Sequence, residues 1–192
     1  NLYLERNGVI ERTAETRIGN LIADAYRNVT GADVAIVNGG SIRAPIMVGD
    51  FTFSDLHEVL PFDNKIVVKE IPGGEIWGAL ESGIRDVPLP YGGFPQISGL
   101  SFTYDPTLPQ GLRVLSVSVN GTAIDVFATY KCATSSYIAA GGDGYTNLIP
   151  YPVAQEFSTE AEVLADYIQT LPFQTITDEY APLEGRITVI TP

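Results

Sequence analysis

The chain has 192 residues, of which 45% are hydrophobic, and this is enough for one substantial core in one domain spanning residues 1–192. Its 11 basic and 23 acidic residues give a formal net charge of -12, which disfavours nonspecific binding of nucleic acid because the phosphate backbone is repelled. No apolar run approaches the roughly 20 residues that a membrane-spanning helix requires, and the N-terminus lacks a signal-peptide pattern. The sequence therefore predicts a soluble domain without a membrane span or a nucleic-acid partner.

Periodic apolar residues predict an alternation of helices and strands in the first half of the chain. The predicted elements are a helix over 15–29, a strand over 32–37, a short helix over 54–60, a strand over 65–71 and a helix over 74–84. Ser54 is the expected N-cap of the short helix, and Pro61 ends it. Phe62 is therefore expected in a loop.

The second half predicts an antiparallel region followed by a helix. Strands are expected over 100–104, 114–119, 130–134 and 186–190. Asn120-Gly121 is a strong hairpin signal, and Ser158 is the expected cap of a last helix. Mixed helices and strands of this kind predict the α+β class.

Residues for metal-dependent or nucleophilic hydrolysis are missing from the sequence. A di-metal centre needs several converging histidines and carboxylates, yet His57 is the single histidine and is interpreted as a solvated helix residue. The run at 39–43 has an arginine where a nucleophile elbow requires glycine. Cys132 is the single cysteine and is expected to pack as a small apolar side chain. We expect no catalytic residue and no cofactor in this chain.

Predicted loops instead combine aromatic rings, arginines, amides, a carboxylate and a glycine. The candidate site residues are Arg12, Asn38, Gly40, Arg43, Phe62, Asn64, Tyr137 and Asp143. Aromatic faces stack on a nucleobase with roughly 1 to 3 kcal/mol per base, amides read ring nitrogens, and carboxylates accept hydrogen bonds from ribose hydroxyls. Arginines suit a phosphate or a nearby ribose. The set is typical of a nucleoside site.

Five of the eight candidates also have an ordinary structural alternative. Phe62 and Tyr137 are core residues in that alternative, and Asp143, between two glycines, bonds its own backbone in a turn. For the arginines the alternative is a surface ion pair, Arg12 with Glu15 and Arg43 with Asp50 or Asp55.

Several ordered motifs make the comparison with a known family specific. They are RTAET at 12–16, GNLIADA at 19–25, NGGSIR at 38–43, LPF at 60–62 and GGDGY at 141–145. The chain resembles the C-terminal domain of 5'-nucleotidases over nearly its whole length. The resemblance implies a layered α/β/β/α-type domain with mixed sheets that binds a nucleoside or nucleotide.

This resemblance implies a role for every candidate residue except Gly40: Phe62 and Tyr137 clamp the base, Asp143 contacts the ribose, Arg12 and Arg43 supply positive charge, and Asn38 and Asn64 contact the base. The sequence departs from the family pattern at Ser41 and Asp63, where glycine is common, at Arg17, where a small amide is common, and at Tyr137, where phenylalanine is more usual. These departures bear on affinity and base preference.

The resemblance further implies a partner and a location. An N-terminal metallophosphoesterase domain of the same protein, outside this chain, would bind two divalent metals and remove phosphate from nucleotides, and the protein would be extracellular or periplasmic. Two alternatives stay open. One is a stand-alone nucleoside-binding or surface-interaction module without a catalytic partner. The other keeps the enzyme but changes its substrate to a UDP-sugar, a dinucleotide or a 2',3'-cyclic nucleotide.

Overall fold

The computed structural model describes residues 4–47, 49–176 and 183–190. In chain order the helices are α1 (Arg17–Thr30), α2 (Phe53–Val59), α3 (Gly73–Gly83), α4 (Ser136–Ala139) and α5 (Glu160–Thr170). The strands are β1 (Val34–Asn38), β2 (Lys65–Pro72), β3 (Pro95–Ser98), β4 (Leu100–Tyr104), β5 (Val114–Val119), β6 (Thr122–Ala123), β7 (Thr129–Ser135), β8 (Val153–Thr159) and β9 (Ile187–Val189). Both sheets are mixed, which confirms the predicted α+β class.

The larger sheet has five strands in the order β3-β1-β7-β2-β8. β1 and β7 are parallel, with Val34 opposite Cys132, and the remaining pairs are antiparallel. The smaller sheet has the order β6-β5-β4-β9. Asn120 and Gly121 both have positive φ and close the predicted hairpin between β5 and β6.

Buried apolar residues form two clusters, one on each face of the larger sheet. Ala35 and Val37 of β1 face the cluster that contains α1, α2 and α5. Val34 and Ile36, which alternate with them, face the cluster that contains α3 and the smaller sheet. Because both faces are covered, all of β1 is buried, and this explains why its sequence reads as a continuous apolar run.

The motif at 19–25 belongs to the core of α1. Leu21 is fully buried, and a Cβ built on Gly19 would lie 2.1 Å from the Gln96 side-chain oxygen. Helix α1 begins after Thr16, whose side chain accepts from the Gly19 amide, so Glu15 lies outside the helix predicted over 15–29. The motif is a packing element, as its helical spacing predicts.

Two predicted helix caps are wrong by one or two residues. Thr52, not Ser54, caps α2, and its capping box with Asp55 satisfies two backbone amides. Thr159, not Ser158, caps α5. In both cases the cap is the threonine that has an acidic residue three positions later, and this reciprocal pattern is a stronger signal than serine alone.

Two strands of the larger sheet have no counterpart among the predicted elements. They are β3, which directly follows a glycine-rich turn, and β8. β8 is an edge strand and is largely exposed, so it lacks the apolar alternation by which strands are found. β3 is short and begins with proline, which is unusual inside a sheet.

Candidate functional site

One edge of the larger sheet collects the candidate residues. Parallel strands β1 and β7 both end there, and they deliver Asn38 and the segment that carries Tyr137. β2 and β3 run the other way and begin at this edge, since Ile66 pairs with Ser135 and Pro95 with Asn38. The sheet register therefore brings together loops that are far apart in sequence.

All eight candidate residues line a single cavity of about 420 Å³ at this edge. Ser41 and Gly92 complete its lining. We refer to residues 62–64 as the Phe62 wall and to residues 137–143 as the Asp143 wall. The two aromatic rings are half-exposed, Phe62 at 43% and Tyr137 at 45%, so neither is an ordinary core residue.

Hydrogen bonds fix the Asp143 carboxylate within the Asp143 wall. Asn38 Nδ2 donates to its Oδ2 at 2.9 Å, and the Tyr137 hydroxyl donates to its Oδ1 at 3.0 Å. The Asp143 amide in turn donates to the Tyr137 oxygen at 3.2 Å. Burial and the bond to Asp143 raise the pKa of the Tyr137 phenol, so this hydroxyl stays a donor.

The backbone of the Asp143 wall allows these close contacts. Asp143 has φ 49°, a left-handed conformation that aspartate tolerates better than most residues. A Cβ on Gly142 would lie 2.5 Å from the Tyr137 ring. The glycine thus lets the ring approach the loop. Asp143 does lie in a turn, as the structural alternative proposed. Its carboxylate, however, accepts hydrogen bonds from the side chains of Asn38 and Tyr137 and not from its own backbone.

Tyr91 holds the backbone of two residues that line the cavity. The sequence analysis did not identify it. Its hydroxyl donates to the Asp143 carbonyl oxygen, and its amide donates to the Arg12 carbonyl oxygen at 3.0 Å. The Arg85 guanidinium lies 4.3 Å from the centre of its ring. Burial raises the pKa of Tyr91 to about 12. One side chain therefore links the Asp143 wall to the segment that carries Arg12.

Lys69 anchors the ends of the same wall and is also absent from the sequence prediction. It is buried on β2, and its Nζ donates to the carbonyl oxygens of Ala139 at 2.7 Å and Leu148 at 2.9 Å. These two carbonyls flank the glycine-rich loop of Asp143. Burial lowers the pKa of the lysine. A buried lysine bonded to carbonyls gives no sequence pattern by which it could have been found.

The Phe62 wall is held by different contacts. Arg43 places its guanidinium 5.7 Å from the centre of the Phe62 ring, and its Nη1 donates to the Gly40 carbonyl oxygen at 3.4 Å. Asn64 Nδ2 donates to a carboxylate oxygen of Glu160 at 3.2 Å. Glu160 is the first residue of α5 and is fully buried.

In the part of the chain that the structure describes, Arg12 and Arg43 do not form the surface ion pairs that the structural alternative requires, Arg12 with Glu15 and Arg43 with Asp50 or Asp55. Glu15 accepts hydrogen bonds from the Asn20 side chain and from the amides of Glu184 and Ile187. Among the residues that the structure describes, no ion pair includes Arg12 or Arg43. Both positive charges therefore remain available at the rim of an acidic chain.

A backbone contact joins Gly40 and Gly92, two glycines that line the cavity. The Gly40 amide donates to the Gly92 carbonyl oxygen at 2.7 Å, and a Cβ on Gly40 would lie 2.9 Å from that oxygen. Ser41, which departs from the family pattern, turns its hydroxyl to the Asn38 carbonyl oxygen at 2.9 Å. Its extra side chain is thus absorbed by a local bond.

The single histidine and the single cysteine of the chain lie outside the lining of the cavity. His57 is exposed on α2, and Cys132 is buried on β7, where burial raises the pKa of the thiol to about 12. Within residues 4–47, 49–176 and 183–190, no group of three or more histidine, cysteine or acidic residues is placed to hold a metal ion. The described helices are also too short or too polar to cross a bilayer.

Comparison with known proteins identifies the family to which the chain is similar. A family model described as the 5'-nucleotidase C-terminal domain matches residues 4–149. The trifunctional nucleotide phosphoesterase protein YfkN of Bacillus subtilis (strain 168) is 42% identical over 144 residues, which are 70% of this chain and 10% of YfkN. The protein UshA of Escherichia coli (strain K12) is 33% identical over 172 residues, which are 86% of this chain and 30% of UshA.

A solved structure shares the whole fold. The crystal structure of a 5'-nucleotidase precursor from Thermus thermophilus superposes with a TM-score of 0.89 and 35% sequence identity, covering 100% of this chain and 38% of that one. The chain thus spans less than two fifths of the length of each of these three proteins. The family model, the two relatives and the shared fold agree, and the chain belongs to the family of 5'-nucleotidase C-terminal domains.

Proposed function

We propose that the cavity at the sheet edge binds the nucleoside part of a nucleotide. The observation that carries this proposal is the convergence of eight residues of complementary chemistry, from loops 131 positions apart at the extremes, on one cavity of about 420 Å³. A cavity of this size lies in the usual range for small ligands. Two half-exposed rings at such a cavity are typical of stacking on a base.

The polar groups suit the other parts of a nucleotide. The Asp143 carboxylate is fixed by Asn38 and Tyr137 and retains acceptor capacity for a ribose hydroxyl, since a carboxylate offers about four acceptor positions. Arg12 and Arg43 supply positive charge for a phosphate or for the ribose. Asn38 and Asn64 are the amides available to the base.

We further propose that the complete protein removes phosphate from nucleotides. The named activities of the relatives support this, since YfkN is a nucleotide phosphoesterase and the Thermus protein a 5'-nucleotidase precursor. The described residues do not fit a metal centre. Two divalent metals would therefore be held by an N-terminal metallophosphoesterase domain of the same protein. Residues 1–192 would form one substrate-binding domain that orients the nucleoside, so that its phosphate meets those metals.

The word precursor in the name of the Thermus protein supports a processed, exported protein. We accordingly place the protein outside the cytoplasm, in the periplasm or the extracellular space.

Calorimetric titration of the chain with adenosine, AMP and uridine, at low salt and without metal, tests the binding role. We expect saturable binding of roughly millimolar affinity. Phe62→Ala and Tyr137→Ala should each weaken it by roughly fivefold to a hundredfold, since stacking is worth roughly 1 to 3 kcal/mol per base. Phe127→Ala is the matched control because Phe127 is 92% exposed and lies outside the cavity lining.

Two results would contradict the proposal. One is a folded wild-type chain that binds none of the three ligands. The other is binding that survives in both cavity variants as well as in the Phe127 control. Unfolding curves for each variant establish that a loss of binding is not a loss of fold.

A further inference from the structure

Glu160 is a buried acid that no part of the proposed binding role uses. It begins α5 and is fully buried, with Tyr26 on one side and Asn64 on the other. The Tyr26 hydroxyl donates to Oε1 at 2.7 Å, and Asn64 Nδ2 donates to Oε2 at 3.2 Å. A buried carboxylate costs much free energy unless it is hydrogen-bonded, so these contacts are needed for it to ionise.

The backbone joins the same two residues. The Glu160 amide donates to the Asn64 carbonyl oxygen at 3.0 Å. Asn64 thus forms two hydrogen bonds, one through its side chain and one through its backbone, with a residue that lies 96 positions later in the chain. The sheet register explains the meeting, since Lys65 of β2 pairs with Thr159 of β8.

An ionised carboxylate has acceptors and no donor. The branch of the Asn64 amide that faces Glu160 must therefore be the NH2 group, and the carbonyl Oδ1 is the other branch. Asn64 lines the cavity. Among the described ranges of the chain, no hydrogen bond to Asn64 Oδ1 is found, which leaves this oxygen free to accept from a ligand.

Charged groups on the elements around α5 are engaged elsewhere. Lys65 of β2 pairs with Glu156 of β8 at 2.6 Å. Asp55 of α2 is taken by the Thr52 cap. On α5 itself, Glu162 accepts from the Thr159 amide and hydroxyl at 2.9 and 2.8 Å. Tyr26 is the titratable group that faces Glu160 from α1.

We infer that Glu160 is a positioning residue of the cavity: its carboxylate orients the Asn64 amide so that Oδ1 accepts a hydrogen bond from an N–H donor of the bound base. The inference rests on the proposed nucleoside-binding function and gives that site a specificity. A base with an exocyclic amine is favoured over the same base without one. Burial raises the pKa of the Glu160 carboxyl to about 7, so the orienting charge is lost in mildly acidic solution.

Protonation reverses the requirement on the amide. A protonated carboxyl carries an O–H that must donate, and the Asn64 carbonyl becomes an acceptor for it if the amide turns over. The NH2 group would then face the cavity. Adenosine, whose base offers its exocyclic amine as donor, should therefore bind more weakly below a pH of about 7.

The test compares adenosine with purine riboside, which lacks the exocyclic amine, by calorimetry at pH 8 and pH 5.5. Glu160→Met removes the orienting acceptor and should weaken adenosine binding at pH 8 roughly tenfold, the size of one hydrogen bond, while leaving purine riboside within about twofold. Glu160→Gln has one acceptor and one donor, like the protonated carboxyl, and does not titrate, so adenosine binding should be as weak at pH 8 as that of the wild type at pH 5.5 and should no longer depend on pH. Asp166→Asn, on the same helix, is the control.

A second readout does not depend on affinity. The side-chain NH2 resonances of Asn64, assigned by their absence in Asn64→Asp, should shift with a midpoint near pH 7 in the wild type and stay constant in Glu160→Gln. Adenosine binding that is indifferent to both Glu160 variants and to pH would reject this inference alone. Absence of any nucleoside binding by the folded wild type would reject the proposed function and the inference together.

Discussion

The two walls of the cavity differ in how firmly they are built. In the Asp143 wall, the carboxylate accepts from Asn38 and Tyr137, and Tyr91 bonds the backbone beneath it. In the Phe62 wall, the ring has no hydrogen-bonding group and lies beside the exposed Arg43, whereas Asn64 at the end of this wall is held by Glu160. Hydrogen bonds are directional whereas stacking tolerates displacement. In the proposed nucleoside complex, the hydrogen-bonded carboxylate of Asp143 would therefore suit hydroxyls of fixed geometry, and the Phe62 ring would suit bases of varied size.

Ionisation of Glu160 is expected to have the largest effect on stability. It introduces a buried charge next to Asn64 of the Phe62 wall. The folded pKa of about 7 exceeds the ordinary 4.5, so the stabilising contribution is complete below about 4.5 and is lost as pH rises through 7. A shift of this size corresponds to a loss on the order of 3 kcal/mol. Urea unfolding at pH 5, 6, 7 and 8 should show this slope in the wild type relative to Glu160→Gln. Parallel pH profiles for the two proteins would contradict it.

Lys69→Met tests the anchoring of the Asp143 wall and is expected to have the next largest effect. The variant leaves the Ala139 and Leu148 carbonyl oxygens without the lysine donor. An unsatisfied buried acceptor costs about 1 to 3 kcal/mol, so the free energy of unfolding should fall by that amount. Lys65→Met, in an exposed ion pair on the same strand, should change it by less than about 1 kcal/mol. Equal effects at the two lysines would show that the buried contacts do not anchor the wall.

The ordered motifs, together with the family resemblance that they carry, were enough to predict residues that line the cavity but not the residues that support them. Asn38, Phe62 and Asp143 stand in motifs with glycines or prolines that mark loops, so they could be placed without knowing the sheet. Lys69 and Glu160 could not, because their partners lie 70 to 134 residues away and depend on the tertiary fold. Their chemistry is also misleading in isolation, since a lysine and a glutamate are normally surface residues.

The same limit applies to the fold. The buried strand β1 is predicted by its apolar run, whereas the exposed edge strand β8 is not. Whether a segment such as 153–159 is a strand depends on the neighbour with which it pairs, and this is tertiary information. The cap at Thr52 in place of Ser54 is a miss of a different, local kind, because the acidic residue three positions after Thr52 is visible in the sequence.

A matched pair of arginines gives the smallest expected effects and sharpens the comparison of the walls. Arg43 lies 5.7 Å from the Phe62 ring centre, whereas Arg85 lies 4.3 Å from that of Tyr91. Cation–π contacts at exposed sites are worth about 0.5 to 1 kcal/mol, and they weaken with distance. Arg85→Gln should therefore lower the free energy of unfolding by up to about 1 kcal/mol, and Arg43→Gln by less. Chemical denaturation of both variants measures this, and a larger loss at Arg43 would reverse the ranking of the walls.

The long reach of the cavity contacts has a consequence for folding. Asn38 and Asp143 are 105 positions apart, and Asn64 and Glu160 are 96 apart. Closing such loops is slow, because their entropy must be lost before the contacts form. No short peptide with the glycine motifs can reproduce the cavity, and it completes itself only when the five-stranded sheet has assembled. Recovery of the proposed nucleoside binding after dilution from denaturant would therefore report assembly of the five-stranded sheet.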